Sequence, residues 1–315
     1  MTLAYLGPEG TFTETAARLV SGSDGELVAC SDIQAVLNAV ATGTATRGVV
    51  PIENTLEGSV RATVDALAFD SDMLIEAELE LPIALVLAVA PGTSLDQVVA
   101  VRSHPVALAS SRHWLTANLP DAERLPSAST ARAAQVVAGD GDDDLGTSQQ
   151  GATAAIVNSL AADRYGLEVL ARNISDTAAN TTRFVVVGRS LSAPTGWDKT
   201  SLVVFIDENR PGALLNLLEI FAERDINLTR LESRPTKAEL GTYCFFLDVE
   251  GHLADERVGD ALAAIRRTHR DVRLLGSYRR SGARRTDEAD RIQRDDEAYR
   301  EAAKWLEEWR TRIER

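Results

Sequence analysis

The first half of the chain alternates short apolar runs with segments whose apolar positions follow helical spacing. Short apolar runs bounded by turn residues predict buried strands, and the segments between them, such as 13–20 and 130–138, predict helices. The predicted strands are 3–6, 48–52, 83–90, 154–157 and 183–188. This alternation is typical of an α/β domain with a mainly parallel sheet and helices on its faces.

The pattern changes after residue 190. Residues 190–199 are rich in Ser, Ala, Pro, Thr and Gly, which is the composition of a linker. Apolar residues then recur at i, i+3, i+4 and i+7 of a helix, at Leu214, Leu217, Leu218 and Phe221. The predicted elements are strands at 202–206, 226–234, 241–249 and 272–278 and helices at 212–224 and 255–267. The order βαββαβ indicates a ferredoxin-like fold.

Three segments follow from this division, namely domains at 1–190 and 200–278 and a charged tail at 279–315. In the tail, apolar residues follow helical spacing on one side. They are Ile292, Tyr299, Ala303, Leu306, Trp309 and Ile313. We expect an amphipathic helix that packs on the body of the protein or on another subunit, and that contributes no residue to the chemistry.

Charge and composition exclude several classes of partner. The formal net charge is -14, from 33 basic and 47 acidic residues, so a nucleic acid or a membrane surface is not the expected partner. The longest strongly apolar run, at 81–90, is too short to span a bilayer, and the first residues lack a signal peptide. Two cysteines, Cys30 and Cys244, form no disulfide framework. We expect a cytoplasmic protein.

A polar turn, residues 7–12, joins the first predicted strand to the first predicted helix. Thr11 and Glu14 have the spacing of a capping box, which leaves backbone N–H groups available to a ligand. The turn lacks the Gly-Lys-Ser/Thr ending of a nucleotide-binding loop. By itself, this string also fits an ordinary capped turn.

Two further polar strings lie at the ends of predicted strands. In residues 48–60 a buried strand runs into Glu53 and Asn54, and Ser59 has the position of an N-cap for a following helix. In residues 180–184 a strand opens with Thr182 and Arg183, and a hydroxyl beside a guanidinium suits a carboxylate and a leaving hydroxyl. Spacing alone leaves an ordinary polar turn as the alternative.

The second domain carries two strings that suit a small ligand, although an ordinary turn and strand would explain them too. Residues 209–214 place a glycine at the start of a helix, where it allows close approach of a ligand to the backbone. Residues 227–235 run along a strand whose edge can pair with a second subunit. The acidic stretch 139–144 lacks the spacing of a calcium loop, and the four histidines show no metal-ligand spacing.

Taken together, these strings resemble the prephenate dehydratase family over roughly residues 1–278. Val106 and Thr55 depart from the family, which often has glutamine and more commonly serine there. The strings that carry the resemblance to the catalytic domain are 5–12, 48–54, 57–60, 103–105, 129–131, 155–156, 165–167 and 182–184. The strings 212–214 and 232–235 are similar to the ACT domain that follows it in this family.

The resemblance implies a fold and an activity. The fold is α/β, with a two-lobed periplasmic-binding-protein-like catalytic domain, a ferredoxin-like βαββαβ ACT domain and a C-terminal helix. The activity is the decarboxylating dehydration of prephenate to phenylpyruvate, without a cofactor and without a metal. The family also implies a homodimer or homotetramer that is regulated by L-phenylalanine. We expect a monofunctional enzyme, since no chorismate mutase segment is recognised.

The family motifs assign roles to individual residues. Thr182 is the expected hydrogen-bond donor to the leaving hydroxyl, and Glu53 is the candidate for a neighbouring acid. Arg183 and the helix starts near Thr11 and Ser59 are candidates for the two carboxylates. The substituents of the ring would be oriented by Asn54 and Ser129, and Phe184 would contact the substrate. The expected phenylalanine site comprises Pro211, Gly212, Ala213, Leu214, Asn227, Leu228, Glu232 and Ser233.

Two other functions stay open on the sequence. Arogenate, which has an amino group where prephenate has a keto group, is an alternative substrate for the same site. A non-catalytic amino-acid-sensing protein on the same fold would explain the ACT strings, but it gives no reason for the triplet 182–184.

Overall fold

A computed structural model describes residues 1–22, 25–140, 151–177, 179–206, 210–237, 242–269, 271–282 and 286–312, with the backbone alone over 286–295. Most of the acidic stretch 139–144 therefore lies outside the described residues, as do Asn209 and Ile313 of the predicted strings. The chain divides into two compact units. The first unit contains residues 1–64 and 80–185, and the second contains residues 65–79 and 186–315.

Short strands and helices alternate along the first part of the chain, as predicted. They are β1 (Thr2–Leu6), α1 (Phe12–Ser21), β2 (Glu26–Cys30), α2 (Ile33–Thr42), β3 (Arg47–Asn54), β4 (Gly58–Ser59), α3 (Arg61–Asp65), β5 (Leu74–Pro82), β6 (Val86–Val89), β7 (Val98–Ser103), α4 (Pro105–Ser110), α5 (Arg112–Asn118), β8 (Glu123–Pro126), α6 (Thr130–Ala138), β9 (Ala152–Val157), α7 (Ser159–Arg164), β10 (Glu168–Arg172) and β11 (Thr181–Gly188).

In the described part of the first unit, the strands form two sheets, one for each lobe. In the first lobe β1 runs parallel to β2 and β3, and β11 lies beside β3. In the second lobe the order is β10-β6-β9-β7-β8, where β6 is antiparallel to both of its neighbours. The two-lobed α/β class is confirmed. The prediction of mainly parallel strands holds for the first lobe, whereas the second sheet is mixed.

The second part of the chain has the predicted order of elements. They are β12 (Asp198–Phe205), α8 (Ala213–Ala222), β13 (Leu228–Pro235), β14 (Tyr243–Glu250), α9 (Glu256–Thr268), β15 (Asp271–Arg279) and α10 (Thr286–Arg310). Antiparallel pairing gives the order β13-β14-β12-β15. The apolar stripe of α8, with Leu217 and Phe221, packs on Leu202, Phe245 and Leu247 of this sheet. The ferredoxin-like prediction is confirmed.

Residues 65–79 belong to the second unit although they lie far from it in sequence. The aromatic rings of Phe69 and Phe205 meet edge to face, with 6.2 Å between their centroids. Ile75 pairs with Gly276 in the sheet, so β5 extends the order beyond β15. Asp65 forms an ion pair with Arg234 at 2.5 Å. The predicted domains at 1–190 and 200–278 placed this segment in the first domain, and this division of the chain stays a prediction.

The tail forms the predicted helix, α10. Asp296 is buried and its carboxylate accepts a hydrogen bond from the backbone N–H of Arg257, at 3.5 Å. Trp305, Leu306 and Trp309 are exposed, so this part of the apolar stripe is uncovered in the chain by itself. Among the described helices, α10 included, we find none with the length and the hydropathy that crossing a membrane requires.

The pairing of β15 with β5 makes Gly276 sensitive to substitution. An added Cβ would clash with the backbone carbonyl and side chain of Ile75, and neither is the far end of a flexible side chain. We expect Gly276→Ala to lower the free energy of unfolding by about 1–3 kcal/mol, as overpacking typically does. Thermal or urea unfolding measures the change.

Gly259→Ala is the matched control. Gly259 lies in α9, where an added Cβ would be 3.5 Å from the carbonyl oxygen of Leu253, an ordinary contact. The same substitution should stabilise that helix by about 0.5–1 kcal/mol. If Gly276→Ala unfolds like the wild type, the close approach of β5 to β15 is not a constraint on the fold.

Candidate active site

A cavity of about 710 Å³ lies in the first unit and is lined by residues of both lobes. Its walls are mostly apolar, as is usual for a small-molecule site with a few polar groups. The predicted residues Thr11, Asn54, Ser129, Thr182 and Phe184 all line it. The structure therefore brings together five of the eight residues that the sequence proposed for catalysis and substrate binding.

Glu53, Arg183 and Ser59 lie outside the lining of this cavity. Successive residues of a strand point to opposite faces, so Arg183 points away from the face that carries Thr182 and Phe184. There its guanidinium forms an ion pair with Glu53 at 3.4 Å. The two charged groups join neighbouring strands β3 and β11 behind the cavity wall.

The predicted helix cap at Ser59 is wrong. Ser59 pairs with Glu53 across a short antiparallel bridge between β4 and β3, and α3 begins only at Arg61. Ser59 thus lies two residues before the first residue of α3, one position too early for the N-cap. The start of a helix at residue 59 is therefore not available as a carboxylate site.

Asn54 organises the polar side chains at the end of β11. Its side-chain oxygen accepts hydrogen bonds from the backbone N–H groups of Leu56 (2.9 Å) and Glu57 (3.2 Å). Because a backbone N–H can only donate, this fixes which end of the amide carries the nitrogen. That nitrogen donates to the hydroxyl oxygen of Thr182 and to the side-chain oxygen of Asn180, both at 2.9 Å. The hydroxyl of Thr182, whose residue lines the cavity, therefore keeps its hydrogen for another acceptor.

Thr55 fixes the backbone on which these donors are carried. Its hydroxyl donates to the carbonyl of Ala179 and accepts from the N–H of Thr181, both at 3.0 Å. Its own N–H donates to the carbonyl of Thr181, also at 3.0 Å. A serine would supply the same hydroxyl, which explains physically why the departure from the family's more common serine is tolerated.

The turn before α1 is held by a buried carboxylate. Thr11 accepts from the N–H of Glu14 at 3.3 Å, as predicted for a cap, and the Glu14 carboxylate accepts from the N–H of Gly10 at 2.5 Å. It also binds Arg18 (2.7 Å) and Arg164 (2.6 Å). Burial acts to raise the pKa of Glu14, but these hydrogen bonds and cations outweigh it, so that the pKa is lowered.

Opposite this turn, Ser129 caps α6 by accepting from the N–H of Arg132 at 2.9 Å. Val106 forms an apolar part of the wall. His104, Arg132 and Glu57 also line the cavity, and none of them was predicted as a site residue from the sequence. For Arg132 a signal existed, because it lies in the first turn of a helix that follows a strand, where ligands of α/β sheets bind.

The residues proposed for phenylalanine fall into two groups in the second unit. Ala213 starts α8 after Gly212, whose φ of 86° is the left-handed conformation that glycine tolerates best. Ala213 also lines a cavity of about 480 Å³ together with Arg210 and Asn216. Glu232 and Ser233 lie on β13, which is the edge strand of this unit's sheet in the described residues.

Comparison with known proteins gives a consistent picture. The profile of the prephenate dehydratase family matches residues 3–191, and the profile of the ACT domain matches residues 200–267. A curated prephenate dehydratase from Mycolicibacterium vanbaalenii is 46% identical over 292 residues, which cover 88% of this chain and 90% of the relative. One from Amycolatopsis methanolica is 43% identical over 309 residues, which cover 96% of each chain.

A solved structure is similar over almost the whole chain. It is the prephenate dehydratase of Arthrobacter aurescens in complex with L-Phe, with a TM-score of 0.85 and 38% sequence identity. The alignment covers 99% of this chain and 100% of that one.

Glu14 gives a test of the cavity's framework. Glu14→Gln removes the charge that binds two arginines, and we expect a loss of about 1–3 kcal/mol in the free energy of unfolding at neutral pH. The folded pKa of Glu14 is lowered, so its contribution is complete above the ordinary glutamate pKa and disappears as the pH falls through the folded value. The difference between wild type and variant should therefore shrink in acid.

Unfolding by urea at neutral and acidic pH measures this difference, with Glu9→Gln as the control. Glu9 also binds Arg164, but its side chain is 58% exposed, and exposed ion pairs contribute little. Equal effects of the two variants, or a difference that does not depend on pH, would contradict the role given to Glu14.

Proposed function

The chain belongs to the prephenate dehydratase family, and we propose that it converts prephenate to phenylpyruvate, carbon dioxide and water in the cavity of the first unit. The observation that carries the proposal is the hydroxyl of Thr182, oriented by Asn54 and facing an apolar cavity. The test is the appearance of phenylpyruvate when the purified protein is incubated with prephenate.

The reaction needs no redox group. As the ring carboxylate leaves as carbon dioxide, its bonding electrons enter the ring, and the hydroxyl opposite departs with the electrons of the C–O bond. Uptake of one proton converts the departing hydroxide to water. The ring becomes aromatic, which supplies a large driving force. The protein therefore has to bind a dianion, exclude water from the departing carboxylate and stabilise the negative charge that develops on the leaving oxygen.

Thr182 stabilises the leaving oxygen. A threonine hydroxyl is a weak acid, so its part is to donate a hydrogen bond and to position the ring, and the proton that completes water comes from outside the side chain. The amide of Asn54 holds the oxygen of Thr182 as an acceptor, which directs the hydroxyl hydrogen to the substrate. This extends the first role given to Asn54, that of orienting the substituents of the ring.

The carboxylates of the substrate are bound by groups on the opposite wall. The start of α6, capped by Ser129, offers backbone N–H groups, and Arg132 in its first turn adds a positive charge. Glu53 and Arg183, first considered as an acid and a carboxylate ligand, form an ion pair with each other and do not line the cavity, so we give them no direct contact with the substrate. Thr11 contributes the end of the cavity beside α1, and Phe184 its apolar surface.

Arogenate remains the second candidate substrate. It differs from prephenate in having an amino group in place of the keto group, and an acceptor side chain would be needed to recognise that group. Glu57 lines the cavity and has a carboxylate that can accept. Parallel assays with the two substrates decide between them, because the ratio of the two kcat/KM values measures the preference directly.

We propose further that phenylalanine binds in the second unit and regulates the enzyme at a distance. Backbone N–H groups at the start of α8 suit its carboxylate. Asn227 and the backbone near Leu228 suit its amino group, and Leu214 can contact the ring. The edge strand β13, with Glu232 and Ser233, is available to a second copy of the chain, so the site would be shared in a homodimer or homotetramer.

Thr182→Val tests the catalytic proposal. The substitution is nearly isosteric and removes one hydroxyl, and we expect kcat for phenylpyruvate formation to fall by about a hundredfold or more, as it does when a transition-state donor is lost. Circular dichroism and thermal unfolding should match the wild type. Phe184→Leu is the control for the apolar wall, with a change chiefly in KM. A Thr182→Val variant with near-normal kcat would remove Thr182 from the mechanism.

Inhibition by phenylalanine tests the regulatory proposal. In the wild type, the coupling between the two sites should be worth about 1–3 kcal/mol. Gly212→Val and Ser233→Ala should each raise the phenylalanine concentration for half inhibition by about tenfold while activity without phenylalanine persists. Rates at varied prephenate and phenylalanine concentrations measure both quantities.

Gly282→Val is the control for backbone strain. Gly282 has the same φ of 86° as Gly212, and an added Cβ there meets nothing within 4 Å. It should keep the inhibition curve of the wild type. Normal inhibition in Gly212→Val and Ser233→Ala would place the effector elsewhere, and purely competitive inhibition would contradict a second site.

A further inference from the structure

Asn180 lies at the centre of the hydrogen bonds around Thr182, yet the sequence analysis gave it no role. The residue lines the cavity and is only 4% exposed. Its backbone carbonyl accepts from the N–H of Ile83 at 2.8 Å, which holds the turn before β11 in place. A buried amide in this position needs partners for both ends of its side chain.

The orientation of the Asn180 amide follows from its neighbour. Asn54 turns its nitrogen towards Asn180, since its oxygen is occupied by the backbone N–H groups of Leu56 and Glu57. The Asn180 atom at 2.9 Å from that nitrogen must therefore be the acceptor, its oxygen. The other end of the Asn180 amide is therefore its NH₂ group, which can only donate.

This NH₂ group has no hydrogen-bond partner among the residues that the structure describes, although the side chain is almost completely buried. The nitrogen is nevertheless not sealed off from solvent. Because Asn180 lines the cavity, the accessible side of this nitrogen faces it. A donor that reaches the cavity in this way is available to an acceptor on a ligand that enters it.

We propose that the NH₂ group of Asn180 is a second donor to the leaving hydroxyl of the substrate, beside the hydroxyl of Thr182. The side-chain oxygens of both residues are 2.9 Å from the same nitrogen of Asn54, so the two donors are neighbours. Residues 180 and 182 are two apart, and both line the cavity. Two donors converging on one oxygen stabilise a developing hydroxide better than one, as in an oxyanion hole.

The inference rests on the proposed function and deepens it. The C–O bond breaks with its electron pair on oxygen, and the departing hydroxide receives hydrogen bonds from Asn180 and Thr182 until a proton from outside the site makes it water. Neither residue gives up its proton for good. Asn54 positions both donors through one amide group and need not touch the substrate in this step.

Asn180→Asp is the sharpest test. The aspartate keeps an oxygen that accepts from Asn54 but lacks the NH₂ donor. If Asn180 had only a structural role, this substitution would leave kcat unchanged. We expect kcat to fall by about thirtyfold or more, in the range for loss of a transition-state donor. The added negative charge also opposes a dianionic substrate, so this effect needs its own control.

Gln135→Glu is that control. Gln135 lines the same cavity, and its NH₂ group donates to the hydroxyl of Tyr165 at 3.0 Å. The substitution makes the same change from amide to carboxylate on the wall, away from Thr182. We expect it to raise KM through its charge and to change kcat by less than about threefold. If both variants lose kcat equally, charge alone explains the loss and the proposal is overturned.

The inhibition constant of the product, phenylpyruvate, distinguishes a donor role of Asn180 from a structural role. Phenylpyruvate has lost the hydroxyl but keeps a carboxylate, and Arg132 donates to Gln135 at 3.4 Å, so product binding should weaken no more in Asn180→Asp than in Gln135→Glu. Weaker product binding in Asn180→Asp alone would show a damaged cavity and overturn the proposal. A rise in KM without a fall in kcat beyond the control would place the NH₂ group on a carboxylate and overturn it too.

The wild type is assayed first with prephenate. No phenylpyruvate from a folded wild type would refute the proposed function itself, whereas an active wild type with an unaffected Asn180→Asp would refute this inference alone. Should Asn180→Asp fail to fold, Asn180→Ser takes its place. Its shorter hydroxyl cannot reach both Asn54 and the ligand, so kcat should fall at least tenfold, and a normal kcat would overturn the proposal.

Discussion

The direction of a few hydrogen bonds governs the chemistry available in the cavity. Two backbone N–H groups after β3 fix the amide of Asn54, and this amide then fixes the side chains of Asn180 and Thr182. Because each donor in this series determines the next, the polar groups are oriented before any substrate arrives. Pre-orientation stabilises a developing negative charge, because no free energy is needed to reorient the donors when the bond breaks.

The charge of the chain sets a second constraint. With a net charge of -14, the protein as a whole repels a dianion, and binding therefore depends on local donors inside an apolar cavity. The arginines around the first turn are already engaged, because Arg18 and Arg164 neutralise the buried carboxylate of Glu14. Arg132, at the start of α6, lines the cavity, which is why we propose this helix as the side that binds the carboxylates.

Much of this could be predicted from the sequence, and what could not has physical reasons. Periodicity located α6 and the βαββαβ order almost to the residue, because those patterns are local. The motifs predicted that Thr182, Asn54 and Arg183 belong to one site. Side chains alternate along a strand, however, so Arg183 lies on the opposite face from Thr182. Ser59 looked like a helix cap because its strand pairing involves only two residues. The direction of an amide such as Asn180 depends on contacts more than a hundred residues away.

The position of residues 65–79 bears on how such proteins can change in evolution. A gene fusion at a flexible linker usually leaves modules that recombination can exchange. Here a stop codon after the linker would remove the partners of residues 65–79. Ile75 would lose β15, Phe69 would lose Phe205 and Asp65 would lose Arg234, so this segment of the first half of the chain would become exposed. The ACT domain can therefore be lost or replaced only together with compensating substitutions in this stretch.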